Sequence, residues 1–369
     1  MRCNIDFQVI SNYLKLKRIK GVSPKNILSI VDTFGSIEKI FNIKIDELVS
    51  IGIKENIAKE IVNINHLKDD FVEEQLRLIK KHNVTVLVLE DEDYPEELRN
   101  IYDPPPVLFA YGKLDCLKRP KIAIVGARKS SERAKKIAAK IACDLAETGI
   151  NIVSGFAAGV DISAHIGASE KGSTTAVFGC GLLTVYPATN KRYLKKILEN
   201  GVIVSEYWLT EPPNWYNFPQ RNRIISGLSL GTLVVEASKK SGSLITAKLA
   251  LEQNRELYAI PTFPDSINSA TNFLIKNGAI LVENYLDIIE NTPQLLKSLK
   301  VIDKKEQGNI IELTDKTRPV FDLIAEQPLT SNELMLKVNM DFMELMTCLT
   351  ELELNNLIKR GLDGKYYIY

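Results

Sequence analysis

Five short segments hold the residues best suited to chemistry. They are GARKSS (Arg128, Lys129), SGFAAGVD (Ser154, Gly155, Asp161), YPATNKRY (Lys191, Arg192), FPQRNR (Phe218, Arg221, Asn222, Arg223) and ASKKSGS (Lys239, Lys240, Gly242, Ser243). Cations beside glycine- and serine-rich helix starts make anion sites, because free N–H groups and the helix dipole add to the side-chain charge. A single nucleotide phosphate needs only one such loop. Four of these five segments offer a pair of cations, and the loop WLTEPPNWYNFPQRNR adds Trp208, Trp215, Tyr216 and Phe218. That combination suits a single-stranded nucleic acid, in which cations track the backbone while rings stack on bases at ~1–3 kcal/mol per base.

Each segment also has a plainer reading. GARKSS is not GxGxxG and fits an ordinary βα turn, SGFAAGVD fits tight helix–sheet packing, and Trp208 or Trp215 fits a cover over the core edge. Lys239 and Lys240 fit solvated charge, and His165 in DISAHIGA fits a helix-packing histidine rather than a catalyst. The convergence of the segments on one edge is what favours a site.

Convergence requires elements that deliver it. From Lys121 onward short β-branched runs alternate with helical segments: KIAIVGA, INIVSG, TTAVFGCG, VIVSEY, GTLVVEA, ELYAIP and AILVE. Such alternation implies βαβ units and a mostly parallel, doubly wound Rossmann-like sheet of the α/β class. Ligands of an open parallel sheet bind beyond the carboxyl ends of its strands, where all five segments fall. Ser130 or Ser131 is positioned to cap a helix running from about residue 131 to 148, and Asp161 falls in a first helical turn.

The expected organisation is a helical module over 1–90, resembling a helix-hairpin-helix or sterile-alpha-motif fold, then a connector over 91–114. The Rossmann-like domain follows over 115–290, a linker over 291–312 and a winged-helix-like domain over 313–369. Four prolines in DYPEELRNIYDPPPVLFAYG favour extended chain over helix. Helical patterns from FDLIAEQ to ELELNNL, then a hairpin around Asp363-Gly364, suggest the winged helix. Its expected recognition helix, FMELMTCLTELELNNL, carries Glu344, Glu351 and Glu353 and so favours a protein or regulatory contact over duplex DNA.

Bulk composition narrows the classes. Lys and Arg total 47 against 46 Asp and Glu, so any basic surface must be local. No run approaches the ~18 apolar residues of a membrane span, and the N-terminus lacks a signal-peptide apolar region. Five scattered cysteines without CxxC imply reduced thiols and a cytoplasmic protein. Three distant histidines offer no metal set, and no cofactor is expected.

Taken in order, VGARKSS, SGFAAGVDISAH, TTAVFGCGLLTVYPATN, FPQRNRIISGLS, VVEASKKSGSLITAKLALEQNRELYAIP and TNFLIKNGA resemble the DNA-processing protein A (DprA/Smf) family over nearly the whole chain. The resemblance implies sequence-independent binding of single-stranded DNA by a homodimer. It also implies loading of RecA recombinase onto incoming strands, including strands coated by single-strand-binding protein, during natural transformation. Its DNA pocket would draw on Arg128, Ser154, Gly155, Lys191, Phe218, Arg221, Asn222 and Arg223, with Lys240, Gly242 and Ser243. Arg128, Lys191, Arg221 and Arg223 would hold phosphates, Phe218 would stack on a base, and Asn222 and Asp161 would orient those groups. The chain departs from the family pattern at Leu182, Thr262 and Ala270. Two rivals remain. One is a nucleotide phosphoribohydrolase-like enzyme, echoed faintly by Gly231, Thr232 and Glu236 in GTLVVEA. The other is a regulatory module for a mononucleotide.

Overall fold

The computed structural model describes residues 7–63, 69–264, 266, 269–296, 314, 316–338, 340–354, 357–361 and 363–368. The chain divides into two compact units, Met1–Leu299 and Lys300–Tyr369. Residues 297–312 of the expected linker lie outside the described residues.

The larger unit opens with helices α1 (Phe7–Arg18), α2 (Pro24–Phe34), α3 (Ile45–Ser50), α4 (Glu55–Val62) and α5 (Asp70–Lys81). Capping defines the starts of α2 and α5: Ser23 accepts from the Asn26 N–H and Asp69 from those of Phe71 and Val72. Strand β1 (Thr85–Val88) follows, then α6 (Glu96–Arg99) and β2 (Val107–Gly112). Within the stretch expected to be a connector, residues 107–112 thus join the sheet. The prolines before them bar helix but leave Val107–Gly112 its full set of pairing groups.

From there strands and helices alternate: β3 (Lys121–Val125), α7 (Glu132–Glu147), β4 (Asn151–Ser154), α8 (Val160–Lys171), β5 (Thr174–Val177), α9 (Leu194–Asn200), β6 (Val202–Ser205) and α10 (Asn217–Gly227). Then come β7 (Gly231–Val234), α11 (Ser243–Glu252), β8 (Glu256–Ala259), α12 (Ala270–Lys276), β9 (Ile280–Leu281) and α13 (Tyr285–Glu290). The nine-stranded sheet has the order β1-β2-β6-β5-β4-β3-β7-β8-β9. Strands β6 to β9 of that order are mutually parallel, and β2 and β1 add an antiparallel margin. Within it, β5-β4-β3-β7-β8-β9 is the 3-2-1-4-5-6 order of a Rossmann sheet.

Helices cover both faces of the sheet, so β3 reads KIAIV with every residue buried. Even Lys121, 1% exposed, is inside. Its ammonium pairs with Glu97 at 3.0 Å and donates to the carbonyls of Leu117 and Arg119 at 2.9 Å each. Ser131 caps α7 by accepting from Ala134 N–H at 3.1 Å, and Ala134, Ala138, Ile141, Ala142 and Leu145 form its buried stripe. Helix α8 lies so close to α7 that a Cβ on Gly167 would sit 2.0 Å from the Ala139 carbonyl oxygen. One apolar cluster runs from Ile10, Tyr13 and Leu14 of α1 through Phe109 to Phe178, Ile203 and Leu209. The N-terminal helices therefore pack directly on the sheet's β1–β2–β6–β5 side.

His165 packs inside α8 as expected. Its Nδ1–H donates to Thr174 Oγ1 at 2.7 Å, because that hydroxyl spends its own proton on the Ile152 carbonyl. Burial, reinforced by the Arg221 cation, pushes the imidazole pKa down to about 3. The described cysteines Cys116, Cys143, Cys180 and Cys348 are free thiols. Among the described residues no helix is long and apolar enough to cross a membrane.

The smaller unit runs helix (Thr317–Glu326), β10 (Leu329–Thr330), two helices (Ser331–Lys337, Phe342–Leu354) and a hairpin of β11 (Ile358–Arg360) and β12 (Lys365–Ile368). This order is that of a winged helix. Gly364 turns the hairpin at φ 77°. The Phe342–Leu354 helix turns Leu345, Cys348, Leu349 and Leu352 inward and leaves Met343 and Leu354 exposed.

Two outcomes are expected. Gly167→Val forces α7 and α8 apart and lowers unfolding free energy by about 1–3 kcal/mol or more, read as a lower denaturant midpoint. For His165 the folded pKa lies below the unfolded one, so the unfolded chain alone binds a proton between pH 6.5 and 3. Stability is full above that window and falls through it on acidification by up to about 1.4 kcal/mol per pH unit. His165→Asn should flatten that acid limb in urea titrations at stepped pH, and an unchanged limb would refute the assignment.

Candidate nucleic-acid interface

Strands β3 and β7 are adjacent and in parallel register, with Val125 opposite Val234, but their chains continue to opposite sides. The crevice opened there is the switch point of the sheet. The connection after β3 (residues 126–131) and the one after β7 (residues 235–242) form its two walls. The β4–α8 turn packs behind the first wall: Gly159, at φ +85°, brings its backbone to where a Cβ would lie 2.3 Å from the Ala127 carbonyl oxygen.

Two carboxylates of the chain itself already occupy backbone N–H groups at this edge. Glu236 accepts from Ser131 N–H at 3.0 Å and from its hydroxyl at 2.6 Å, so a carboxylate sits on the N-terminus of α7. Asp161 accepts from the N–H groups of Gly155 at 3.2 Å and Ala157 at 3.4 Å. Burial pushes the Asp161 carboxyl up, and the Arg221 guanidinium beside it pulls the other way.

Arg221 itself is 3% exposed. Its Nη1 donates to the Gly155 carbonyl at 2.7 Å and to the Val177 carbonyl, and its Nε to Asn222 Oδ1 at 3.3 Å. A Cβ on Gly155 would meet the Arg221 Nη2 at 2.7 Å, so glycine is what admits the guanidinium. Burial lowers its pKa to about 10, which leaves it cationic at neutral pH. Arg223 points elsewhere. It pairs with Glu206 at 2.6 Å and Asp103 at 3.0 Å, and those carboxylates outweigh burial to raise its pKa.

Above Arg221 lies an open cleft of about 600 Å³. Arg128, Lys129 and Lys240 line it with exposed cations, and Gly242, Ser243 and Thr246 bring the start of α11 to it. Gly242 has helical φ, no side-chain cap and open space where a Cβ would stand. The aromatic wall is built in layers. Phe218 lies on the Gly179 backbone, where a Cβ would come within 2.7 Å of the ring. Tyr186 packs 5.4 Å from it and the Arg128 guanidinium 5.3 Å over its face. Trp215 stands 82% exposed at the rim, edge-on to Tyr216.

The cleft thus brings together Arg128, Phe218, Arg221, Asn222, Lys240, Gly242 and Ser243 of the expected residues. Four others sit outside its lining. Ser154 is fully buried and donates to the Ile124 carbonyl at 2.6 Å. Gly155 packs under Arg221, and Arg223 faces its two carboxylates. Lys191 is exposed on the 3-10 turn Ala188–Tyr193. Residues 221 and 223 are about 200° apart around a helix, so their spacing already implied different faces. Lys129, read with Arg128 as a cation pair of this edge, also lines the cleft. Sequence reasoning passed over Tyr186 and Ser241 as cleft residues, and the anchoring role of Glu236; an acid directly after a buried strand was the available signal. Trp208 and Trp215 separate: the first is packed against Phe71 and Phe109, the second is open. Among the described residues no group of His, Cys, Asp or Glu could hold a metal ion.

This architecture has known counterparts. The sequence model of the DNA recombination-mediator protein A family matches residues 85–293, and that of the DprA winged helix domain matches residues 304–364. The DNA processing protein DprA of Streptococcus pneumoniae is 35% identical over 76% of this chain and 98% of its own length. Protein Smf of Escherichia coli is 42% identical over 60% of each chain. The solved Streptococcus pneumoniae structure superposes with a TM-score of 0.68 at 34% identity, over 76% of this chain and 98% of that one. The Helicobacter pylori DNA processing protein A, solved for insight into its single-stranded DNA binding mode, gives 0.52 at 32% identity, over 58% and 96%. Ordered motifs, sheet order, winged helix and similarity over most of the chain agree: this chain belongs to the DNA recombination-mediator protein A (DprA/Smf) family.

Proposed function

We propose that this chain binds single-stranded DNA without reading its sequence and serves recombination of incoming strands, as a mediator rather than an enzyme. One observation carries this reading. The switch-point cleft is open, cationic and rimmed by an exposed tryptophan, while Glu236 occupies the N-terminus of α7, where a bound nucleotide phosphate would sit. Arg128, Lys129 and Lys240 hold successive phosphates beside the start of α11; Trp215 and the edge of Phe218 receive bases. Arg221, Asn222, Ser154, Gly155 and Arg223 shape the floor and anchor α10. Lys191 extends the cationic track beyond the cleft. The single-stranded DNA binding of the Helicobacter pylori relative supports the same assignment.

The mediator role places the protein in the cytoplasm with a RecA-type recombinase, and with single-strand-binding protein on the strands it receives. A homodimer is supported by the outer margin of the sheet, where β9 is an edge strand and Phe273, Leu281 and Leu286 are exposed. The acidic Phe342–Leu354 helix favours a protein partner for the C-terminal unit. Against phosphoribohydrolase chemistry stands Glu236, whose carboxylate is bonded to Ser131 rather than free to face a sugar.

The test is titration of labelled poly-dT, its duplex and a mononucleotide at several salt concentrations, with nucleotide turnover followed alongside. Tight dT binding with a steep salt slope is expected; turnover, or mononucleotide binding alone, would overturn the reading. Arg128→Ala should weaken binding evenly across sequences and reduce the salt slope by about 1. Trp215→Ala should cost about 1–3 kcal/mol of dT affinity without loss of stability, since the ring has few contacts to lose.

A further inference from the structure

Resting on the cleft reading above, we infer that the N-terminal helices serve as a brace for the DNA-facing loop, and that Gln75 and Phe71 of α5 are positioning residues for it. The loop between β6 and α10 has two halves. Its far half carries the exposed Trp215 and Tyr216, and its near half, residues 207–211, is held from both the sheet and the N-terminal helices.

Gln75 is 1% exposed, and its side-chain oxygen accepts from the Leu209 N–H at 3.1 Å. Phe71, one turn earlier on the same helix face, meets the Trp208 ring edge-on at 5.1 Å and 87°. From α1, the Lys17 ammonium lies 5.4 Å over that indole. On the sheet side, Leu183 N–H donates to Leu209 O and Gly181 N–H to Glu211 O, each at 2.9 Å. The near half is therefore gripped between α5 and the residue 181–183 turn.

The grip continues into the site through Glu211 and Tyr207. Glu211 accepts from Trp208 N–H at 3.4 Å and from the Asn217 side-chain amide at 3.0 Å, and the Tyr207 hydroxyl donates to Asn217 O at 3.0 Å. Asn217 is buried and opens α10, so the next residue on the chain is Phe218. An unbroken series of contacts thus runs from α5 through Trp208, Leu209 and Glu211 to the first residue of the helix that bears the aromatic wall. Trp215 lies between two tethered points, Glu211 and Asn217, with no core contact of its own. Its place over the cleft is inherited from them.

Hydrogen bonds and rings at this joint touch no DNA in this scheme. Their loss should release the loop, so that binding must reorder it, while every phosphate-holding cation stays in place. The full chain carrying Gln75→Leu, which removes the acceptor and leaves Leu209 N–H buried and unpaired, should bind poly-dT about tenfold more weakly. Its logarithmic salt slope should match the parent's. Phe71→Ala should behave alike, and Phe71→Tyr, which keeps the ring, should bind as the parent does. In a Trp208→Phe background Trp215 is the remaining tryptophan, and its emission should be quenched less at saturating dT in the Gln75→Leu protein. Mere destabilisation would leave that saturating amplitude unchanged.

Parent-like affinity and full quenching in folded Gln75→Leu and Phe71→Ala proteins would overturn the brace. So would a salt slope that falls with affinity, which would put these residues on the phosphate track. Failure of the parent itself to bind dT would instead overturn the cleft reading beneath it.

Discussion

A buried guanidinium organises the sheet's carboxyl edge. Arg221 cannot leave its charge unsolvated at 3% exposure, and the solvation comes from the ends of two neighbouring strands, the carbonyls of Gly155 and Val177. That requirement seats α10 across β4 and β5 and excludes any side chain at residue 155. It also sets the partner for Asp161, whose carboxylate closes the β4–α8 turn. Three segments that are separate in sequence are thereby locked into one floor.

Where the chain places its own anions decides what kind of ligand remains possible. A Rossmann sheet ordinarily offers the start of its first helix to a dinucleotide phosphate, and here Glu236 already occupies that start. One strand over, Asp161 takes the N–H groups of Gly155 and Ala157 in the β4–α8 turn. What stays exposed is Lys240, with Gly242 beside it, and the aromatic wall across the cleft. An open wall with exposed cations on two sides can follow a flexible strand past it, whereas an enclosed phosphate cup would capture one group. Glu236 thus closes the usual phosphate seat of this fold, and the exposed cations lie along the open cleft instead.

Packing outside the Rossmann sheet bears on the same edge. The N-terminal helices share one apolar cluster with β2, β5 and β6, so the loop after β6 leaves a surface built jointly by both. Arg223 reinforces that side by tying α10 to Glu206 and Asp103. In an interior of this kind a broken ion pair strands a charge, which makes such ties far costlier to lose than to keep.

Much of this was readable along the chain because the signals are local. Alternating β-branched runs and helical stripes announced the parallel sheet, Ser130 or Ser131 the start of α7, and Asp363-Gly364 the C-terminal hairpin. The five cationic or glycine-rich segments were legible for the same reason: in a parallel sheet, whatever follows a strand arrives at one edge. Facing was a different matter. Arg221 and Arg223 look equivalent in FPQRNR, yet one is buried under the cleft and the other turned to Glu206, because only the assembled strands supply the carbonyls and carboxylates that choose. Trp208 and Trp215 lie in one irregular loop with no period to sort them, and contacts from Phe71 and Gln75, more than a hundred residues earlier, decide which is core and which is rim. Residue type and order determined the sheet and the inventory of charges and rings. Long-range packing decided which of them meet the solvent, since burial is a property of what other segments bring to the same place.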